Sequence, residues 1–187
     1  MLNRGSKGSY QQWADVVDDG SYTFENLLPY FQKSVQFTKP NDASTLYDPT
    51  AFSTSGGPLH VSYSNYTQPI SPGVQQGLQK LGLKPILGLN SGTLIGFAQA
   101  TNTIDPAAEI RSSSETSFLQ CALLNTTLQL YQQTMAKRIL FDKNKKASAV
   151  IVTTAGVPYV LEARKEVVVA AGAVGSAESM PLQGLGY

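Results

Sequence analysis

The run Val167-Val168-Val169-Ala170-Ala171-Gly172-Ala173-Val174-Gly175-Ser176 decides the fold class. Its first five residues are apolar without alternation, as in a strand covered on both faces. Gly172 and Gly175 end that run, and a turn into a helix is predicted after it. A doubly covered strand that feeds a helix is a unit of layered α/β architecture, so the chain reads as α/β with mixed helices and strands. The small residues of Ala171–Ser176 have two readings: close approach of a ligand to the backbone, or tight packing of strand against helix.

Upstream of this run the apolar period is two. Leu128 and Leu130, then Ile139 and Phe141, then Val150 and Val152, then Val157, Tyr159 and Leu161 predict four strands. Ala155-Gly156 joins the last two as a hairpin turn. Before them, Ser112-Ser113-Ser114-Glu115 reads as a capping box, in which hydroxyl and carboxylate each take the other's free amide, and predicts a helix to Leu124.

The first half is helical and irregular. Tyr10–Val17 predicts a helix, with a turn at Asp18-Asp19-Gly20. Thr23 is placed to cap a second helix, with Tyr22 and Leu27 as a hydrophobic staple and Leu27, Leu28, Phe31 and Val35 on one face. Pro29 predicts a bend or a late start there. Residues 39–58 have loop chemistry. Leu59, Val61 and Tyr63 alternate with His60 and Ser62 as a strand, Ser71-Pro72 open a helix that Gly82 closes, and 94–104 reads as extended. The change of character divides the chain into 1–110 and 111–187, parts of two subdomains.

With 42% hydrophobic and 14% charged residues, the chain is apolar enough to bury a core and too charge-poor to be disordered. A net charge of +1, from 14 Lys and Arg against 13 Asp and Glu, offers no basic stripe for nucleic acid. No run approaches the roughly 18 apolar residues of a membrane helix, and no signal-like stretch follows Met1, so the sequence as it stands reads as cytosolic. Asn65-Tyr66-Thr67 and Asn125-Thr126-Thr127 are sequons, a pattern that also arises by chance. Cys121, among Phe118, Leu119, Ala122 and Leu123, reads as a small buried hydrophobe.

Several chemistries lack their residues. There is no G-x-G-x-x-G and no Walker loop. One histidine and one cysteine cannot make a His/Cys zinc cluster, and no serine sits in a G-x-S-x-G elbow. His60 reads as a surface or partly packed strand residue rather than a base. Asp18-Asp19 and Glu162 with Glu166 read as solvated charge. The residues alone point to no catalytic and no metal-binding group.

An ordered set of segments resembles the glucose-methanol-choline (GMC) oxidoreductases, the family of glucose oxidase and aryl-alcohol oxidase. They are Arg4-Gly5-Ser6, Tyr10, Trp13-Ala14, Asp18-Asp19, the stretch Phe24 to Phe31, Ser55-Gly56-Gly57-Pro58-Leu59, Asn90-Ser91-Gly92, Ile104-Asp105 and Arg111-Ser112-Ser113-Ser114. Arg138-Ile139-Leu140-Phe141, Ala163 to Val167 and Ala171 to Ser176 continue it. The resemblance implies a partial FAD-binding domain of the GMC type with part of the substrate domain. It implies an FAD-dependent oxidoreductase acting on the CH–OH group of a small-molecule alcohol, as oxidase or dehydrogenase.

By the same resemblance, Ala136 matches the strand residue whose backbone meets the adenine of FAD, usually a valine, and Ala171-Gly172 match the strand end beside it. From the residues alone these three are equally well sheet core and turn. Tyr10 and Trp13 match positions that line an access channel, or simply pack a lid helix. The family's FAD-fingerprint glycines and its catalytic histidine match nothing in the chain, so the expectation is a protein inactive by itself. A non-catalytic binding module and the product of a partial gene model remain as alternatives. The close of the chain, Ala177-Glu178 and Gln183 to Tyr187, departs from the family's second signature, and Pro181 interrupts the helix expected there.

Overall fold

The computed structural model of the chain describes residues 1–53 and 55–179, the side chains of 177–179 excepted. The expectation for Pro181 lies outside the described residues. Packing divides the chain into two compact units, Met1–Leu128 and Gln129–Tyr187. That division falls later than the change of sequence character at 110/111, because the segment after Arg111 is tied to the first unit: the His60 backbone N–H donates to Ser112 Oγ at 3.1 Å.

The first unit opens with α1 (Lys7–Val17) and α2 (Phe24–Ser34). α1 starts three residues earlier than the apolar pattern indicates, because Ser6 Oγ accepts from the Ser9 backbone N–H and caps it. α2 begins at Phe24, so Pro29 lies inside the helix and does not delay it. Thr23 precedes the helix without capping it; its hydroxyl donates back to the Gly20 carbonyl at 3.0 Å. Val35 does not extend the face of α2. It turns to extended backbone and begins β1 (Val35–Phe37), which runs parallel to β2 (Leu59–Tyr63), with Val35 opposite Leu59.

β2 also pairs antiparallel with β3 (Thr101–Asn102). The strict alternation expected of β2 fails at Ser62, which is buried and donates to the Ile104 carbonyl, so both faces of this strand are covered. The core of the unit is Val35, Phe37, Ala51, Phe52, Val61 and Tyr63. Phe37 stacks on Phe52 at 4.2 Å and meets Tyr63 edge-on at 6.1 Å. Burial of each such ring contributes about 1.5–3 kcal/mol. Gly56 is held against the α2–β1 junction so closely that a Cβ there would lie 2.2 Å from the Val35 carbonyl oxygen.

The rest of the unit comprises α3 (Ser71–Lys80), the ribbon β4 (Ile104–Asp105) with β5 (Ile110–Arg111), and α4 (Gln120–Asn125), which follows a π-helical turn at Glu115–Leu119. Between α3 and β4, only Thr101–Asn102 of the expected extended stretch is strand. The expected capping box exists one residue along. Thr116 N–H donates to Ser113 Oγ at 3.2 Å and Ser113 N–H to Thr116 Oγ1 at 2.9 Å, while the Ser112 hydroxyl serves His60 instead. Cys121 is exposed rather than buried, because α4 turns this side outward. Among the described residues no helix is long and apolar enough to cross a membrane.

The second unit is an antiparallel meander, β6 (Thr134–Phe141), β7 (Ala147–Thr154) and β8 (Val157–Glu162), followed by α5 (Gly172–Ser179). Ala155 and Gly156 join β7 to β8 with φ of 49° and 83°, the pair of left-handed residues that a two-residue hairpin requires. Ile139, Ala149 and Val152 are its buried residues. Leu128 and Leu130 are exposed and outside any strand, so three strands form where four are expected. Val167–Ala171 has no strand partner among the described residues: Val167 and Val169 are half-buried and Val168 faces solvent. The helix predicted after it is present.

Candidate functional site

The candidate site lies in the second unit, at the start of β6. Ala136 pairs with Val152 of β7, and the next matched pair is Arg138 with Ile151, so Lys137 is the extra residue of a β-bulge. The bulge breaks the alternation of β6. Ile139 is buried, whereas Met135, Ala136, Lys137 and Arg138 are all exposed.

That exposed strand start borders a cavity of about 890 Å3, lined by Gln133, Thr134, Met135, Ala136, Lys137, Ala171 and Gly175. Its size is within the roughly 300–1,000 Å3 of small-molecule and cofactor sites. Two of the three expected site residues, Ala136 and Ala171, are thus brought to one cavity. Gly172 is outside its lining; it opens α5 with φ of +82°, and a Cβ there would meet nothing within 4 Å. The same pair also lines a second cavity of about 340 Å3, with Arg138, Ile139, Val150 and Val167–Ala170.

The Ala171–Ser176 turn is closely packed on itself. A Cβ on Gly175 would stand 3.3 Å from Ala171 Cβ, so the first turn of α5 packs closely on the residue before it, and the Ala171 N–H donates to Ser176 Oγ at 3.1 Å. Gln133, with φ of +53°, and Thr134 are site-lining residues that the sequence pattern missed; they precede the apolar period of β6 and carry no motif.

The first unit places the remaining candidates elsewhere. Tyr10 packs against Phe24 and Phe31, each at 5.7 Å, while Trp13 is exposed. His60 is half-buried in β2. Asp19 caps the turn Gly20–Tyr22, accepting from the Ser21 N–H at 2.9 Å, and that hydrogen bond holds its carboxyl below the usual carboxylate range. Arg4 is buried: its guanidinium lies 5.1 Å from the centres of both the Phe31 and Phe52 rings and donates to the carbonyls of Ala51 and Asn90. Burial pushes its pKa down to about 10, partly offset by Tyr10, so it is a cation at neutral pH. No group of three or more metal-ligating side chains occurs among the described residues.

The fold is that of a flavin-dependent oxidoreductase. It superposes on an FAD-dependent oxidoreductase from Chaetomium thermophilum with a TM-score of 0.87 and 25% identity, covering 95% of this chain and 31% of that one. A fungal aryl-alcohol oxidase shares the fold at a TM-score of 0.74 and 22% identity, over 86% of this chain and 28% of that one. The chain belongs to the GMC oxidoreductases, whose family model matches residues 1–187. That family is in general FAD-binding and acts on small-molecule substrates.

Relatives agree. The chain is 51% identical to the glucose methanol choline oxidoreductase atC of Aspergillus terreus over all of its own length and 31% of that protein's. It is 44% identical to the patulin synthase of Aspergillus clavatus, over 98% of this chain and 30% of that one. The chain therefore spans about a third of the length of the curated relatives it matches.

Proposed function

We propose that the chain is part of an FAD-dependent alcohol oxidoreductase and that the cavity beside Ala136 and Ala171 takes the adenine end of the cofactor. The observation that carries this reading is the convergence of two family-matched positions, 35 residues apart in sequence by their numbers, on one cavity of cofactor size.

The residues present suit a flat heteroaromatic ring. Ala136 and Ala171 offer only methyl groups, Gly175 offers no side chain, and open space lies beside Gly172, so backbone and ring can meet closely. Such contacts read the backbone, and alanine serves at Ala136 as valine would. The bulge at Lys137 interrupts the regular β6–β7 ladder directly beside Ala136, and Ala171 and Gly175 stand in close contact.

When bound, FAD supplies the ring that accepts a hydride from the alcohol carbon. The role proposed for this chain is to hold and orient the nucleotide half, and no proton transfer is assigned to any of its residues. The 187 residues alone are proposed to lack alcohol oxidation. In the full-length protein, anaerobic addition of a primary aromatic or aliphatic alcohol should bleach the oxidised flavin absorption. A full-length protein that purifies and titrates without flavin binding would remove the basis for this reading.

A further inference from the structure

From Thr134 in the lining of this cavity, three hydroxyls form a chain whose direction is set by counting protons. Thr134 Oγ1 lies 3.0 Å from the Gln132 carbonyl oxygen, 2.7 Å from Thr154 Oγ1, and Thr154 Oγ1 lies 3.0 Å from the Tyr159 hydroxyl. A carbonyl has no proton to give and each hydroxyl has one. Thr134 therefore donates to Gln132, which obliges Thr154 to donate to Thr134, and Tyr159 to Thr154.

We infer that Tyr159, Thr154 and Thr134 are a directed hydroxyl relay that positions the Gln132–Gln133 backbone at the wall of the nucleotide cavity. This rests on the reading of that cavity as the FAD site.

The sheet does not need the relay. β6 and β7 are joined by backbone pairing from Thr134 opposite Thr154 to Phe141 opposite Ala147, and β8 pairs along β7 from Thr154 opposite Val157 to Ala149 opposite Glu162. The one backbone group that the relay reaches outside this ladder is the Gln132 carbonyl. It belongs to the residue before Gln133, whose left-handed φ of +53° is disfavoured for a side chain of this kind and needs holding. Gln133 and Thr134 both line the cavity. All three hydroxyl-bearing residues are only half-buried, yet Thr134, Thr154 and Tyr159 are residues of neighbouring strands, so their mutual geometry is set by the meander itself. The relay thus converts rigidity of the sheet into a fixed conformation at its otherwise unpaired end, which is how a supporting hydrogen bond pre-organises a binding wall.

The test is FAD titration of the full-length apoprotein, read by quenching of flavin fluorescence. Thr154→Val keeps the β-branched shape and cuts the relay at its centre; Kd for FAD should rise about fivefold to tenfold. Tyr159→Phe removes only the first donor and should raise Kd about twofold to threefold. Thr154→Ser restores the hydroxyl and should recover most of the affinity. In the same apoproteins, backbone amide exchange over 132–134 should quicken in Thr154→Val while the rest of β6 and β7 stays protected, a change that general destabilisation would not confine to these residues.

Wild-type FAD binding that Thr154→Val and Tyr159→Phe leave unchanged would overturn the relay alone. So would a Thr154→Ser protein as weak as Thr154→Val. A wild-type apoprotein that takes up no FAD would overturn the site reading and the relay with it. Should Thr154→Val fail to fold, Tyr159→Phe, which keeps the ring in place, decides the matter by the same titration.

Discussion

The guanidinium of Arg4 lies 5.1 Å from the centre of the Phe52 ring, at the edge of the first unit's core. The Phe31 ring lies at the same distance, and the carbonyls of Ala51 and Asn90 accept hydrogen bonds from the guanidinium. The cation thus joins the N-terminal segment to α2, to the turn at Pro49–Ala51 and to the loop at Asn90. Arg4→Ala should lower the unfolding free energy by about 2–4 kcal/mol, and Arg4→Met, which keeps the stem, by less. Denaturant unfolding measures both; an Arg4→Ala protein within about 0.5 kcal/mol of wild type would refute this role. Because burial lowers the folded-state pKa below its unfolded value, the unfolded chain holds the extra proton above about pH 10, and this group's contribution rises with pH only there.

Gly56 and Gly77 should respond to alanine with opposite signs. A Cβ on Gly56 would approach the Val35 and Gln32 carbonyl oxygens to 2.2 and 2.3 Å, and neither backbone can yield without moving the α2–β1 junction. Gly56→Ala should cost about 2 kcal/mol or more. Gly77, inside α3, has nothing within 4 Å of such a Cβ, and Gly77→Ala should stabilise by about 0.5–1 kcal/mol. Paired thermal melts decide between this and a uniform response.

Asp19 should leave a mark on the acid side. Its carboxyl is held below its ordinary pKa by the Ser21 N–H, so its stabilising effect is present above the ordinary carboxylate range and is lost as pH falls through the lowered value. Asp19→Asn should lower the melting temperature modestly at neutral pH and converge on wild type as pH falls through that window, so its acid fall is the shallower. A parallel offset of the whole pH profile would contradict this.

What the sequence shows and what it hides divide by range of interaction. The Ala155-Gly156 hairpin, the Gly172 helix start and the extent of α3 are set by residues adjacent in the chain, and their local chemistry announces them. Val35 misleads because its helical spacing from Phe31 is overruled by pairing with Leu59, a partner far along the chain. Ser112 looks like the cap, but His60 claims its hydroxyl and the box passes to Ser113 and Thr116. The reading of Ala136 rests on family resemblance and not on period, since the bulge at Lys137 scrambles the alternation that would assign its face. The relay is silent in sequence for the same reason: Thr134, Thr154 and Tyr159 meet only once three strands are in register.

The central claim is that the wall made by Ala136 and Ala171 holds the nucleotide end of FAD, and it is tested most directly by filling that wall. In the full-length apoprotein, Ala136→Trp projects an indole from an exposed strand position into the cavity without entering the core. FAD titration should show affinity reduced by about tenfold or more, with the melting temperature of the apoprotein unchanged within about 2 °C, while Val160→Trp on β8, outside the cavity lining, should bind as wild type. Equal FAD affinity in Ala136→Trp and wild type would contradict the account.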